Sequence, residues 1–362
     1  MRKSTLNKTC VLLFIIMLSA HALAKYDPNN FNPENAAHWY RKAFSSYEKP
    51  NETIDLHTYV FENMELTPEI AQYLKKQQPI VGLMTKAACI DYCDWEYGPY
   101  EDIWSLSEAS LEPGSNSINA KACFRVFLAD MYSTENENTP MKMLGQLQIL
   151  FRFSKHLDGL NRDTVTYLSC FRIKSEIFEY FHDYIKRQAN KMTSDELESF
   201  YKLLKKENTI NFDDIFDEQL EFAQKALTKH TDQSIDDKTE KILNFKGPEG
   251  RKEYYKRNLR FYKEHIANLR VNTKNPLVLK ALTSQIWDQG ANECDLLYNK
   301  FGNYPDGFEP SEEDYQYLLK HSSSLFASMH SPPMFQIYEF KVSIDTHRSV
   351  SLTILKEKRG VR

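Results

Sequence analysis

The segment Asp91-Tyr92-Cys93-Asp94-Trp95-Glu96-Tyr97-Gly98-Pro99-Tyr100-Glu101-Asp102-Ile103-Trp104 concentrates the side chains best suited to chemistry in this chain. Its acids (Asp91, Asp94, Glu96, Glu101, Asp102) are interleaved with the rings of Tyr92, Trp95, Tyr97, Tyr100 and Trp104. Flat rings stack on the apolar faces of sugars, and carboxylates accept hydrogen bonds from hydroxyls. Two carboxyl groups held about 5–9 Å apart can act as acid and base on a glycosidic bond. The candidate ligand-binding residues are therefore Asp94, Trp95, Glu96, Tyr97, Tyr100 and Trp104. A plainer reading has the rings plugging a core at a helix end while the acids face water.

Other patterns carry less. The chain contains no G-x-S-x-G, G-x-x-x-x-G-K-[ST], G-x-G-x-x-G or H-E-x-x-H, so no catalytic residue set, cofactor or metal is implied. Ser199-Phe200-Tyr201-Lys202 matches S-x-x-K but sits in a charged, aromatic helix without companion motifs. The acids Asp213, Asp214, Asp217 and Glu218 lack the central glycine of a calcium loop and read as a helix face, acids being favourable near its N-terminus. His182-Asp183 and His156 with Asp158 are isolated pairs. The basic and aromatic run Arg251–Lys263 reads as a helix with a cationic outer face and Tyr254, Tyr255 and Tyr262 at packing positions.

The N-terminus has the form of an export signal. Arg2, Lys3 and Lys8 precede the apolar Val11–Leu18, and Ala22-Leu23-Ala24 has the small-x-small pattern of a cleavage site before Lys25. Cleavage there predicts a mature chain from Lys25, periplasmic or extracellular. The apolar run is about half the roughly 20 residues a spanning helix needs, so no membrane span is expected in the mature chain. The full sequence has 46 basic and 50 acidic side chains, a net charge of −4. Loss of the leader removes three basic residues and no acid, taking the charge to −7. Nucleic acid and anionic lipid demand a cationic face, so neither is expected as a partner. With 41% hydrophobic residues the chain can build a core.

An oxidising compartment permits disulfides among Cys89, Cys93, Cys123, Cys170 and Cys294. Cys10 leaves with the leader, and the remaining five are odd in number, so at most two bridges form and at least one thiol is left over. On a regular helix Cys89 and Cys93 would place their Cβ atoms about 6 Å apart, too far for a bridge between them.

The elements that would position these residues are helical. Asn32-Pro33, Thr67-Pro68, Thr139-Pro140 and Asn275-Pro276 each supply a capping residue followed by proline. Thr193 with Glu196 has the capping-box form. Leu144, Leu147, Leu150, Phe151 and Leu157 line one stripe, and further helices are predicted over 212–229, 248–270 and 276–300, with Pro79 a break. Tyr338, Phe340, Val342 and Ile344 alternate at period two, so the last 30 residues form either a helix or a small hairpin; isolated two-stranded sheets are weak, which favours the helix. The expected fold is all-α, of irregular helical hairpins, with a degenerate tetratricopeptide-like superhelix as one form of it. A polar stretch at 230–240 suggests a helical body over 25–229 and a C-terminal helical unit over 241–362.

Asn35-Ala36-Ala37-His38-Trp39-Tyr40-Arg41-Lys42-Ala43-Phe44 resembles the N-A-A-x-x-Y-x-x-A-F signature of an uncharacterised family of exported bacterial helical proteins. Cys93-Asp94-Trp95 is similar to that family's Cys-aromatic element. Phe127 to Leu157, ending in Lys155-His156-Leu157, is similar to its tetratricopeptide-like pair. Gly302-Asn303-Tyr304-Pro305 sits far earlier than the family's Gly-x-Tyr-Pro element, which follows its final helix. The resemblance implies export and helical architecture, and carries over no catalytic residue. The expected role is protein interaction or scaffolding with a protein partner. A carbohydrate- or cell-wall-active enzyme using 91–104, and a secreted effector, are the alternatives.

Overall fold

Residues 31–95, 116–158, 164–207, 209–229, 237–305, 307–331 and 333–360 are described by a computed structural model. Among them the chain is all-α, with no strand. They fall into two compact units. The second is Asn211–Tyr338; the first takes the described parts of His21–Tyr97 and Glu108–Ile210 together with Glu339–Arg362. The division thus falls at Ile210, before the polar stretch, of which 230–236 lie outside the described residues.

The first unit contains α1 (Ala36–Ser45), α2 (Leu56–Phe61), α3 (Pro68–Lys76), α4 (Gln78–Ala88), α5 (Asn116–Ser133), α6 (Pro140–Leu157), α7 (Thr164–Gln188) and α8 (Ser194–Lys206). Their lengths run from 6 residues in α2 to 25 in α7, so the hairpins are irregular and no repeated hairpin length emerges. Capping chemistry sets the starts. Thr67 Oγ1 accepts from Ile70 N and Thr139 Oγ1 from Lys142 N, both at 3.3 Å, each followed by proline at the first helical position. The Thr193–Glu196 capping box closes in both directions. Pro79 lies in the first turn of α4, just after the break at Gln77. At the first helix the cap is Asn35 rather than the expected Asn32: Asn35 Oδ1 accepts from Ala37 N, whereas Asn32 Oδ1 accepts from Glu34 N before the helix begins.

The core of this unit is aromatic. Tyr40, Phe124, Phe127, Phe153, Phe178, Tyr180, Phe181 and Tyr184 are all buried. Glu135 is buried with them, its charge answered by Arg187, the Tyr180 hydroxyl and the Gln188 amide.

The second unit contains α9 (Phe212–Lys229), α10 (Asp237–Phe245), α11 (Gly247–Val271), α12 (Pro276–Phe301), α13 (Glu312–Lys320) and α14 (Ser323–His330). Asn275 caps α12 through Val278 N at 3.3 Å. Helix α14 packs on both α11 and α12. Gly290 makes that approach possible, since a Cβ there would lie 2.1 Å from Ser328 Oγ.

The chain closes with α15 (Met334–Gly360), so the last segment is a helix and not a hairpin. Met334, Ile337, Ile344, Ser351 and Leu355 are its fully buried positions, spaced by a three, two sevens and a four, which is helical and not strand periodicity. From Glu339 onward it belongs to the first unit, where Ser343 Oγ meets Ser175 Oγ at 3.1 Å and Arg348 Nε donates to Leu204 O at 3.2 Å.

Candidate functional site

The acidic-aromatic segment splits on inspection. Glu96, Tyr97, Tyr100 and Trp104 lie outside the described residues. Trp95 is 2% exposed and stacks on Tyr40 and Phe44 at 5.8 and 6.2 Å between ring centres. Its indole Nε1 donates to His156 O at 2.8 Å, and the Arg41 guanidinium donates to its carbonyl. Trp95 is therefore a core side chain with no face left for a sugar. The backbone around it is strapped across the start of α1, with Asp94 N donating to Asn35 Oδ1 at 3.0 Å and Ala36 N to Tyr92 O at 2.9 Å. The carboxylates of Asp91 and Asp94 face solvent, paired with Arg152 and the Tyr92 hydroxyl.

The possible disulfides are not formed: no bridge joins Cys89, Cys93, Cys123, Cys170 or Cys294. Cys123 and Cys170 are buried in the first unit, where Cys123 donates to Ala43 O and Cys170 to Leu157 O. Cys294 belongs to the second unit. Cys89 is the C-cap of α4 and Cys93 lies beyond the helix, so the helical spacing argument does not govern that pair. Among the described residues no group of three or more His, Cys, Asp or Glu is placed to hold a metal ion. The basic run on α11 divides as anticipated: Tyr254, Tyr255 and Tyr262 are buried, and Lys252, Lys256, Arg257, Arg260 and Lys263 are exposed.

A site that sequence reasoning missed lies in the second unit. Phe261, Glu264, His265 and Asn268 on α11 and Leu282, Gln285, Ile286 and Gln289 on α12 line an open cavity of about 260 Å³. Both sets have the spacing i, i+3, i+4, i+7, which is one face of a helix. Each helix gives the cavity one buried residue, His265 or Ile286, and one half-buried apolar residue, Phe261 or Leu282. These form the floor, and the exposed Glu264, Asn268, Gln285 and Gln289 form the rims. The only sequence signal was this repeated spacing, and each half alone reads as an ordinary amphipathic face.

The floor is fixed from behind. His265 Nε2 lies 2.8 Å from Ser331 Oγ, just beyond the C-terminus of α14. At the other end of α14, Ser322 and Ser323 donate to Asn258 Oδ1, and Glu293 Oε2 accepts from Leu325 N at 2.9 Å. Burial pushes His265 down to about 4, so the imidazole is neutral at pH 7. A serine against a histidine suggests a nucleophile, but Ser331 is 1% exposed and no carboxylate among the described residues bonds the ring. The pair is a clamp that orients the ring.

The rim offers three carboxamides and one carboxylate. Carboxamides donate and accept at once, as peptide groups do. Glu264 is held by Arg260 at 3.0 Å, both side chains being exposed. The volume falls below the 300–1,000 Å³ of drug-sized ligand pockets and suits one side chain with its flanking backbone. The chain matches no protein-family model, no curated protein and no solved structure.

Proposed function

We propose that this chain is an exported helical protein that binds a polypeptide partner in the periplasm or outside the cell, through the groove between α11 and α12. The carrying observation is the pairing of an apolar floor with carboxamide rims: the floor accepts an apolar side chain, and Asn268, Gln285 and Gln289 answer the partner's backbone. On the opposite flank from the groove, helix α12 carries further apolar surface. Leu277 is 77% and Tyr298 75% exposed, and Trp287, Ala291, Cys294 and Tyr298 follow one another along one face. The basic, apolar and small-residue order of the first 24 residues supports export, as does the resemblance to exported helical proteins. Among the described residues no helix is long and apolar enough to cross a membrane.

A photo-reactive amino acid at Gln285 tests the reading in the full chain made in cells, with the same probe at exposed Lys202 on α8 as control. The expected result is a discrete polypeptide adduct from Gln285 alone, on a chain whose N-terminus is Lys25. Equal labelling from both positions, or a retained leader, would overturn it.

A further inference from the structure

A second cluster, in the first unit, gathers cations around one acid. Glu176 on α7 has a side chain only 5% exposed. Arg125 on α5 grips it with two bonds, Nη2 to Oε1 at 2.8 Å and Nε to Oε2 at 3.3 Å. Arg172, one turn before Glu176, gives only its Nε to Oε1, at 3.0 Å. Its two remaining guanidinium nitrogens make no hydrogen bond among the described residues. Lys121, one turn before Arg125 on α5, is half-buried and has no ion pair or hydrogen bond among the described residues. His57 at the start of α2 approaches from a third helix, its Nε2 3.9 Å from Glu176 Oε1. Its neighbour Asp55 is spent as the cap of that helix, accepting from His57 N and Thr58 N.

The charge count is unequal. Lys121, Arg125 and Arg172 bring three permanent cations and Glu176 one carboxylate, and Arg125 already satisfies that carboxylate bidentately. Two positive charges remain, on a lysine and a guanidinium fork that make no further hydrogen bond or ion pair among the described residues. Burial, with Arg125 and Arg172 beside it, holds the Lys121 ammonium below its ordinary range. Burial and the same two arginines push His57 down, against the pull of Glu176 and Asp55. Partly buried like charges of this kind are costly unless an anion joins them.

We propose that Lys121 and Arg172, backed by the Arg125–Glu176 pair and edged by His57, bind a phosphate-type dianion. Two surplus charges match a dianion better than a single carboxylate. The planar fork of Arg172 suits two oxygens of a tetrahedral group, while Lys121 supplies a point charge to a third. When the dianion binds, His57 faces added negative charge and its proton affinity rises. This site is separate from the α11–α12 groove and stands whether or not the groove binds polypeptide.

The test is calorimetric titration of the full chain with inorganic phosphate at fixed ionic strength, using chloride to set the blank. A parallel arm uses glycerol phosphate in place of the free ion. Saturable one-site binding is expected, and Lys121→Gln and Arg172→Gln should each weaken it about tenfold, the loss of one charge-assisted contact. Both variants leave the Arg125–Glu176 pair intact, and Lys142→Gln on α6 should bind as the parent does. The His57 imidazole, followed by NMR, should titrate at higher pH with phosphate present. Equal binding of both probes assigns the phosphoryl group itself, and preference for the ester assigns a phosphorylated ligand; either supports the site. No saturable heat above the chloride blank, or parent-like binding by both glutamine variants, would overturn it.

Discussion

The two units differ in how they bury charge. Alongside neutral groups such as Asn35, Ser154 and His156, the first buries two carboxylates against arginines: Glu135 is held by Arg187, and Glu176 by Arg125 and Arg172. The second buries mostly neutral groups, Asn258 with Ser322 and Ser323, and His265 with Ser331; buried Asp314, paired with Ser311 and Tyr304, is its exception. Buried ion pairs lock one arrangement, because breaking one strands a charge. Neutral pairs cost less to hydrate, so helices fastened by them can border an open groove. The difference extends to the surface. The two longest helices of the second unit leave Val271, Leu277, Trp287, Leu296 and Tyr298 exposed, while among the described residues of the first unit the most exposed large apolar side chain is Tyr92, at 56%. One unit is suited to holding an anion in place, and the other to receiving an apolar side chain.

Three changes test how separate the units are. The largest effect is expected from Trp95→Ala, which empties the stack between Tyr40 and Phe44 and removes the bond to His156 O. Loss of a buried tryptophan costs about 3–5 kcal/mol. Hydrogen exchange should show that cost in α1, α4 and α6, with α11 and α12 keeping their protection. Equal loss in both units would break the comparison.

Acid comes next, because each unit carries one histidine pushed down to about 4: His156 by burial and then by Arg152 and Lys155, His265 by burial. Both stay neutral when folded and take up a proton near 6.5 when unfolded. The unfolded chain therefore binds more protons between pH 6.5 and 4, and stability complete above 6.5 falls as pH drops through that window. Each histidine accounts for up to about 3 kcal/mol. Denaturant unfolding across the window should show a slope that His156→Gln reduces in the first unit and His265→Gln in the second. The smallest effect is Gly290→Ala. Its Cβ meets Ser328 Oγ at 2.1 Å and Ser328 Cβ at 2.5 Å, so α14 must shift. Overpacking of this kind costs about 1–3 kcal/mol, less about 1 kcal/mol of helix propensity gained. The melting transition of the second unit should move down while that of the first stays in place.

Much of the architecture was legible because helix starts are local chemistry. Thr67-Pro68, Thr139-Pro140, Asn275-Pro276 and the Thr193–Glu196 box each act within four residues, and each opens a helix where the sequence puts it. The box that opens α13 escaped notice because its third helical residue is Asp314, where the usual pattern has Glu or Gln. Asn35 displaced Asn32 as a cap through a contact 59 residues away, its side-chain amide donating to Asp94 O at 2.6 Å. Composition marked 91–104 as unusual, but burial of Trp95 depends on which helices close over it, and spacing does not carry that. The groove was illegible for the same reason. Phe261 and Leu282 become neighbours only when α11 and α12 come to rest against α14, and the groups around Glu176 come from α2, α5 and its own helix α7.

The last helix sets an order of events. Its segment from Glu339 belongs to the unit that begins the described chain, and all of Asn211–Tyr338 is synthesised in between. Contacts such as Ser175 with Ser343 and Arg348 with Leu204 O span more than 140 residues of sequence. During synthesis the second unit has all its residues before the first does. The N-terminal unit must wait, incomplete, for the final two turns of α15 and the contact of Arg359 with Glu198. Helix α15 is thus the latch on the first unit.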